Sequence, residues 1–208
     1  MPEQIPMNSE PEPADTVTSP VQEPRLPPGQ VLTEKWPVLH YGAVPHVDLA
    51  SWDFRVYGLV ERPALWTYQE FLALPQVQVR SDIHCVTRWS RYDNLWRGVS
   101  FEEVLRRVQV KPEARFAVIH AEQGFTTNLP LAELTQHDVL FAHQHDGKAL
   151  TKEHGWPLRL VVPRRYFWKS AKWVRAVELV AADHPGFWER NGYHNEANPW
   201  REERFSDW

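Results

Sequence analysis

Cys85 is the only cysteine in the chain, and the residues beside it, His84, Arg88 and Arg91, are cationic or able to become so. A single thiol excludes an intrachain disulfide and leaves three roles: an inert buried group, a nucleophile, or a ligand for a soft metal. Neighbouring cations favour the thiolate, the form that attacks electrophiles and binds such metals. The stretch that follows, Val86 to Gly98, is too polar for a core strand and too aromatic for a plain loop. It reads as a site-bearing connection.

A second grouping lies between His154 and Trp173. Arg159 interrupts the apolar run His154-Gly-Trp-Pro-Leu-Arg-Leu-Val-Val-Pro163, and with Arg164, Arg165, Lys169 and Lys172 it makes five cations within fourteen residues. Guanidinium and ammonium groups beside the small residues Ser170 and Ala171 suit an anionic, phosphate-bearing ligand. The competing reading is a solvated basic edge that deters sheet aggregation. Arg159 weighs against it, because an unpaired charge inside a buried strand is costly. The ten histidines open two further readings: a zinc or copper module built on His143, His145 and His154, or, if none is a ligand, a non-catalytic interaction protein using its Pro-rich arm and exposed Trp.

Strands must deliver these groups. The segment Phe54 to Val60 reads as a strand, and Thr67 to Leu74 as a short helix stopped by Pro75. Period-two alternation is strongest from Gln76 to Val86, where Val77, Val79, Ser81, Ile83 and Cys85 share one face, so Cys85 falls at a strand end. Ser100-Phe-Glu-Glu103 reads as a capping box opening a helix whose apolar face is Phe101, Val104, Leu105 and Val108. Further strands are expected at 115–120, 139–143, 156–162 and 172–180, with Gly124, Gly147 and Gly155 at turns. Strands outnumber short helices, so the class is α+β with a mixed sheet in one domain, 31–208, whose end, 184–208, wraps irregularly over the core. Residues 1–30 hold eight of the 18 prolines, five acidic residues and no aromatic, the composition of a disordered or draped arm.

Composition narrows the function. A net charge of −4 argues against broad nucleic-acid binding. No apolar stretch reaches the ~18 residues of a membrane span. The N-terminus lacks the basic and apolar regions of a secretory leader, so a cytoplasmic address is expected.

Taken together, Cys85 after its strand, His154-Gly-x-Pro-x-Arg159-x-Val-Val-Pro163 and Lys169-Ser-x-Lys-Trp173 resemble the molybdopterin-binding domain of the sulfite oxidase family. The resemblance runs from Pro37 to Trp208 and is closest to small single-domain bacterial members, including in the tail Gly186-Phe-Trp-Glu, Gly192-Tyr-His and Asn198-Pro-Trp-Arg-Glu-Glu-Arg204. It implies a sulfite oxidase-type mixed-sheet fold and one molybdenum on a pyranopterin dithiolene, with Cys85 as the metal ligand. It implies pterin and phosphate contacts from His154, Arg159, Ser170, Ala171 and Lys172, with Tyr41, Gly42 and the backbone of Ala121 at further cofactor positions. Sulfite-oxidising members carry Cys-x-Gly-Asn-Arg; here the run is Cys85-Val-Thr-Arg88-Trp89-Ser90, closer to the branch that reduces sulfoxides.

The expected function is therefore two-electron oxygen-atom transfer on a small oxyanion, S-oxide or N-oxide. Arg88 would hold the substrate, and Trp89, Tyr92 and Trp96 would wall its pocket. A separate haem or flavin protein would exchange the electrons, and the chain is expected to be a monomer.

Overall fold

The computed structural model describes residues 24–206; the stretch 1–23 and the last two residues lie outside it. In chain order the strands are β1 (Val31–Leu32), β2 (Asp53–Gly58), β3 (Ala64–Thr67), β4 (Val77–His84), β5 (Trp89–Ser100), β6 (Phe116–Ala121), β7 (Thr126–Pro130), β8 (Leu140–His145), β9 (Lys148–Ala149), β10 (Arg159–Val161) and β11 (Val174–Val180). Four short helices, α1 (Tyr68–Leu72), α2 (Phe101–Val108), α3 (Leu131–Leu134) and α4 (Phe187–Arg190), fall between or after them. One sheet runs β1-β5-β8-β10, with β4 also on β5 and β9 on β8; the other runs β3-β2-β11-β6-β7. The pairs β1·β5 and β2·β11 are parallel and the rest antiparallel, which is the mixed α+β arrangement.

Alternation along the strands decides which residues meet. In β8, Phe141 faces the main core, where it packs on Phe54, Phe71 and Phe101, while Leu140 and Ala142 face a second cluster with Ile83, Trp96 and Val161. The main core draws on both sheets and on α1 and α2. Removing each Phe side chain from water there stabilises the fold by about 1.5–3 kcal/mol. The second cluster, on the other face of the first sheet, is edged by Trp36, Trp89 and Phe167, which reach the site.

Two local readings need correction. The stretch 86–98, expected as a connection, lies for the most part in β5, twelve residues long and bonded to three neighbours. Its buried Ser90 and Asn94 tolerate burial because their side chains are hydrogen-bonded. Asn94 donates to the Ser81 and Arg91 carbonyls, and Ser90 bridges His84 and Gln30. Gly98 lets β5 and β8 close up, since a Cβ there would run into the Phe141 carbonyl. The Ser100 hydroxyl does accept from the Glu103 amide, but Glu103 pairs with Arg106 and Arg107 instead of turning back. Ser100 is still part of β5, paired with Leu140. The reciprocal box forms instead at Thr67 and Glu70, opening α1.

The segment 24–30 lies against the domain. Arg25 bonds Asp82 and Asp93, and Gln30 is buried. Among the described residues no helix is long and apolar enough to cross a membrane.

Candidate active site

Cys85 follows β4 in a tight turn. Its amide donates to the Trp89 carbonyl at 2.9 Å, and its carbonyl accepts from the Arg88 amide at 3.0 Å and from Gln30 Nε2 at 3.1 Å. Arg88 takes the left-handed conformation that closes the turn, with φ of 73°. The thiol is buried, 3.1 Å from the Thr87 hydroxyl. Burial pushes its pKa up; the Thr87 hydrogen bond and then the charges of Arg204 and Lys172 oppose this. The expected cations are not the ones near it. His84 bonds Ser90 on the far side and is held neutral by burial, its pKa lowered to about 4. Arg91 is engaged with Asp146, Asn94 and His145.

The sulfur borders a cavity of about 410 Å³ shared with Ser170, Ala171, Lys172, Tyr41 and Gly42. Much of the remaining wall is aromatic, with Trp36, Trp89, Trp168, Phe187, Trp188 and Tyr193 alongside His40, Thr87, Glu122 and Gln123. Among the described residues Lys172 is the only Lys or Arg on that wall. Its ammonium donates to the carbonyls of Leu39 at 2.8 Å and Glu153 at 2.6 Å; burial, then the charge of Arg159, lowers its pKa to about 7.

Of the five clustered cations, three are neutralised by acids far along the chain. Arg164 forks Asp138, Arg165 meets Glu133, and Lys169 forms a fully buried 2.7 Å pair with Glu189. Arg159 and Lys172 alone have no carboxylate partner among the described residues. Arg159 is 1% exposed, and burial lowers its pKa to about 9. It donates to the carbonyls of His154 at 2.9 Å and Ser170 at 3.0 Å, with Phe167 against its guanidinium at 4.2 Å. It thus props the Ser170 turn from behind the wall.

His154 also sits behind the wall, stacked on Trp36 at 3.9 Å with its pKa lowered to about 4 by burial and by Lys172 and Arg159. Ala121 is buried next to the wall, its amide bonded to the Phe125 carbonyl. Arg88 is exposed and outside the cavity, Tyr92 packs under Arg25, and Trp96 is core; of the three expected pocket aromatics only Trp89 lines it. No group of three or more His, Cys, Asp or Glu is placed to hold a metal among the described residues. The zinc or copper reading fails because His143 bonds Gln76 and the rings of His145 and His154 pack on Trp36. The wall residues Trp168, Phe187, Trp188 and Tyr193 were not assigned to the site from sequence, although the tail motifs Gly186-Phe-Trp-Glu and Gly192-Tyr-His contain three of them.

A soft thiol, a small-residue turn and a carboxylate-free ammonium on one cavity form a donor set that fits a metal dithiolene with an anionic tail. A family model, the oxidoreductase molybdopterin binding domain, matches residues 41–188. The chain belongs to this family. It is a sulfite oxidase-like oxidoreductase, and its cofactor is molybdenum-molybdopterin. It is 48% identical over 186 residues to an uncharacterized oxidoreductase of Bacillus subtilis, YuiH, covering 89% of this chain and 94% of that one. It is 30% identical over 170 residues to the provisionally named protein-methionine-sulfoxide reductase subunit YedZ1 of Azospira oryzae, covering 80% of this chain but 64% of that one. Against the sulfite oxidase of Arabidopsis thaliana identity is 24%, over 74% of this chain and 48% of that one. The fold matches the sulfane dehydrogenase SoxCD of Paracoccus pantotrophus with a TM-score of 0.64 at 23% identity, covering 69% of this chain and 42% of that chain.

Proposed function

We propose that this oxidoreductase transfers an oxygen atom to or from a small uncharged S-oxide or N-oxide, with the Cys85 sulfur as the molybdenum ligand. The observation that carries the reading is that Cys85 and Lys172 share one cavity whose wall is largely aromatic and whose Glu122 carboxylate is held by Arg175. When bound, the cofactor supplies the two-electron chemistry. The chain supplies the Cys85 thiolate, the Lys172 ammonium and the Ser170–Ala171 turn for the anionic tail, with Arg159 and His154 supporting that turn from behind. The aromatic wall excludes water and receives the apolar substituents of the substrate. Arg88 lies outside, so an oxyanion would find only Lys172, which faces the tail; this favours an uncharged oxide. Electrons exchange with a separate protein.

Metal and pterin analysis of protein from a molybdenum-replete host, followed by assays of sulfite, S-oxides and N-oxides with artificial electron carriers, tests this. S-oxides or N-oxides should turn over with kcat/KM at least tenfold above sulfite, and Cys85→Ser should remove turnover and alter the Mo(V) paramagnetic signal. Well-folded protein lacking molybdenum, or an unaltered signal in Cys85→Ser, would defeat the assignment.

A further inference from the structure

Arg204 reaches the Cys85 turn from the far end of the chain. Its Nη1 donates to the Val86 carbonyl at 2.8 Å. The side chain is 7% exposed, its guanidinium lies 4.8 Å from the Tyr166 ring centroid, and Nε and Nη2 have no hydrogen-bond partner. Its nearest carboxylate, Glu202, stands 3.6 Å away and is itself 47% exposed. A guanidinium held out of water with two donors lacking hydrogen-bond partners keeps much of its field at the Cys85–Val86 turn it is bonded to. A side chain at Gly29, next to the Gln30 amide that holds the Cys85 carbonyl, would run into Glu202 and crowd Arg88 and Arg204.

We propose that Arg204 is a positioning residue for Cys85: its hydrogen bond fixes the Val86 peptide, and its charge, only partly met by Glu202 at 3.6 Å, acts on the turn that carries the sulfur. The mechanical half concerns the chain alone; the electrostatic half rests on Cys85 being the molybdenum ligand. Two measurements test it. In cofactor-free protein, amide exchange at Cys85 and Arg88, whose N–H groups close the turn, should quicken on the order of tenfold in Arg204→Met, the loss of one charge-assisted bond. In loaded protein, the molybdenum midpoint potential should fall in Arg204→Met, because removing a nearby positive charge favours the oxidised metal, and Arg204→Lys should restore it. Wild-type exchange and potential in Arg204→Met, or a potential in Arg204→Lys as low as in Arg204→Met, overturn the proposal. Should Arg204→Met fail to fold, Arg204→Gln keeps a donor without charge and must still lower the potential; an unchanged value overturns the electrostatic half. A Cys85→Ser variant with the wild-type Mo(V) signal would remove the ligand assignment, yet faster exchange in Arg204→Met would still stand.

Discussion

Lys172 gives the cofactor-free chain a measurable pH dependence. Its ammonium titrates near 7 in the fold against 10.5 in the unfolded chain, mainly because burial removes it from water. Holding the proton in the folded state therefore costs about 5 kcal/mol at full protonation, an upper figure for a side chain that is partly exposed. Below pH 7 both states carry the proton and the whole penalty applies. Between 7 and 10.5 the unfolded state binds more protons than the folded one, so stability rises with pH by up to about 1.4 kcal/mol per unit, and above 10.5 the penalty is gone. Lys172→Met removes this component and leaves the other titrating groups in place. Urea unfolding of cofactor-free wild type and Lys172→Met should show the difference shifting toward wild type by about 2–3 kcal/mol from roughly pH 7.5 to 9.5. A difference that stays constant with pH would refute the claim that Lys172 is a buried cation without a counter-charge. In loaded protein the same substitution should lower pterin occupancy.

Glu189→Gln should destabilise the fold by about 3–5 kcal/mol, because it leaves the Lys169 ammonium charged in a site 1% exposed, and adding Lys169→Met should recover most of that loss in thermal unfolding. Gly98→Ala should cost at least about 2 kcal/mol in urea unfolding, since its methyl meets the Phe141 main chain and no flexible side chain can give way. Arg88→Ala should leave kcat/KM for an uncharged oxide within about twofold of wild type, as expected for a surface side chain outside the cavity.

The readable parts of the sequence were those governed by local period. Alternation from Val77 to Cys85 placed the thiol at a strand end, and the face Phe101, Val104, Leu105, Val108 is buried as its spacing required. What spacing could not reveal was pairing. Lys169 looked like a phosphate cation until Glu189, twenty residues on, was found against it, and Arg164 and Arg165 met acids from α3 and the loop after it. β5 was missed because Ser90 and Asn94 look like surface residues until their partners on β4 and in the N-terminal segment are known. Arg204 and Val86 lie 118 residues apart, beyond any local pattern.

The cavity wall takes Tyr41 from one end of the fold and Phe187, Trp188 and Tyr193 from the other. During synthesis the cavity wall is therefore incomplete until Tyr193 has left the ribosome. The aromatic contact of Tyr41 on Phe187, 4.8 Å between centroids, joins segments 146 residues apart to close it.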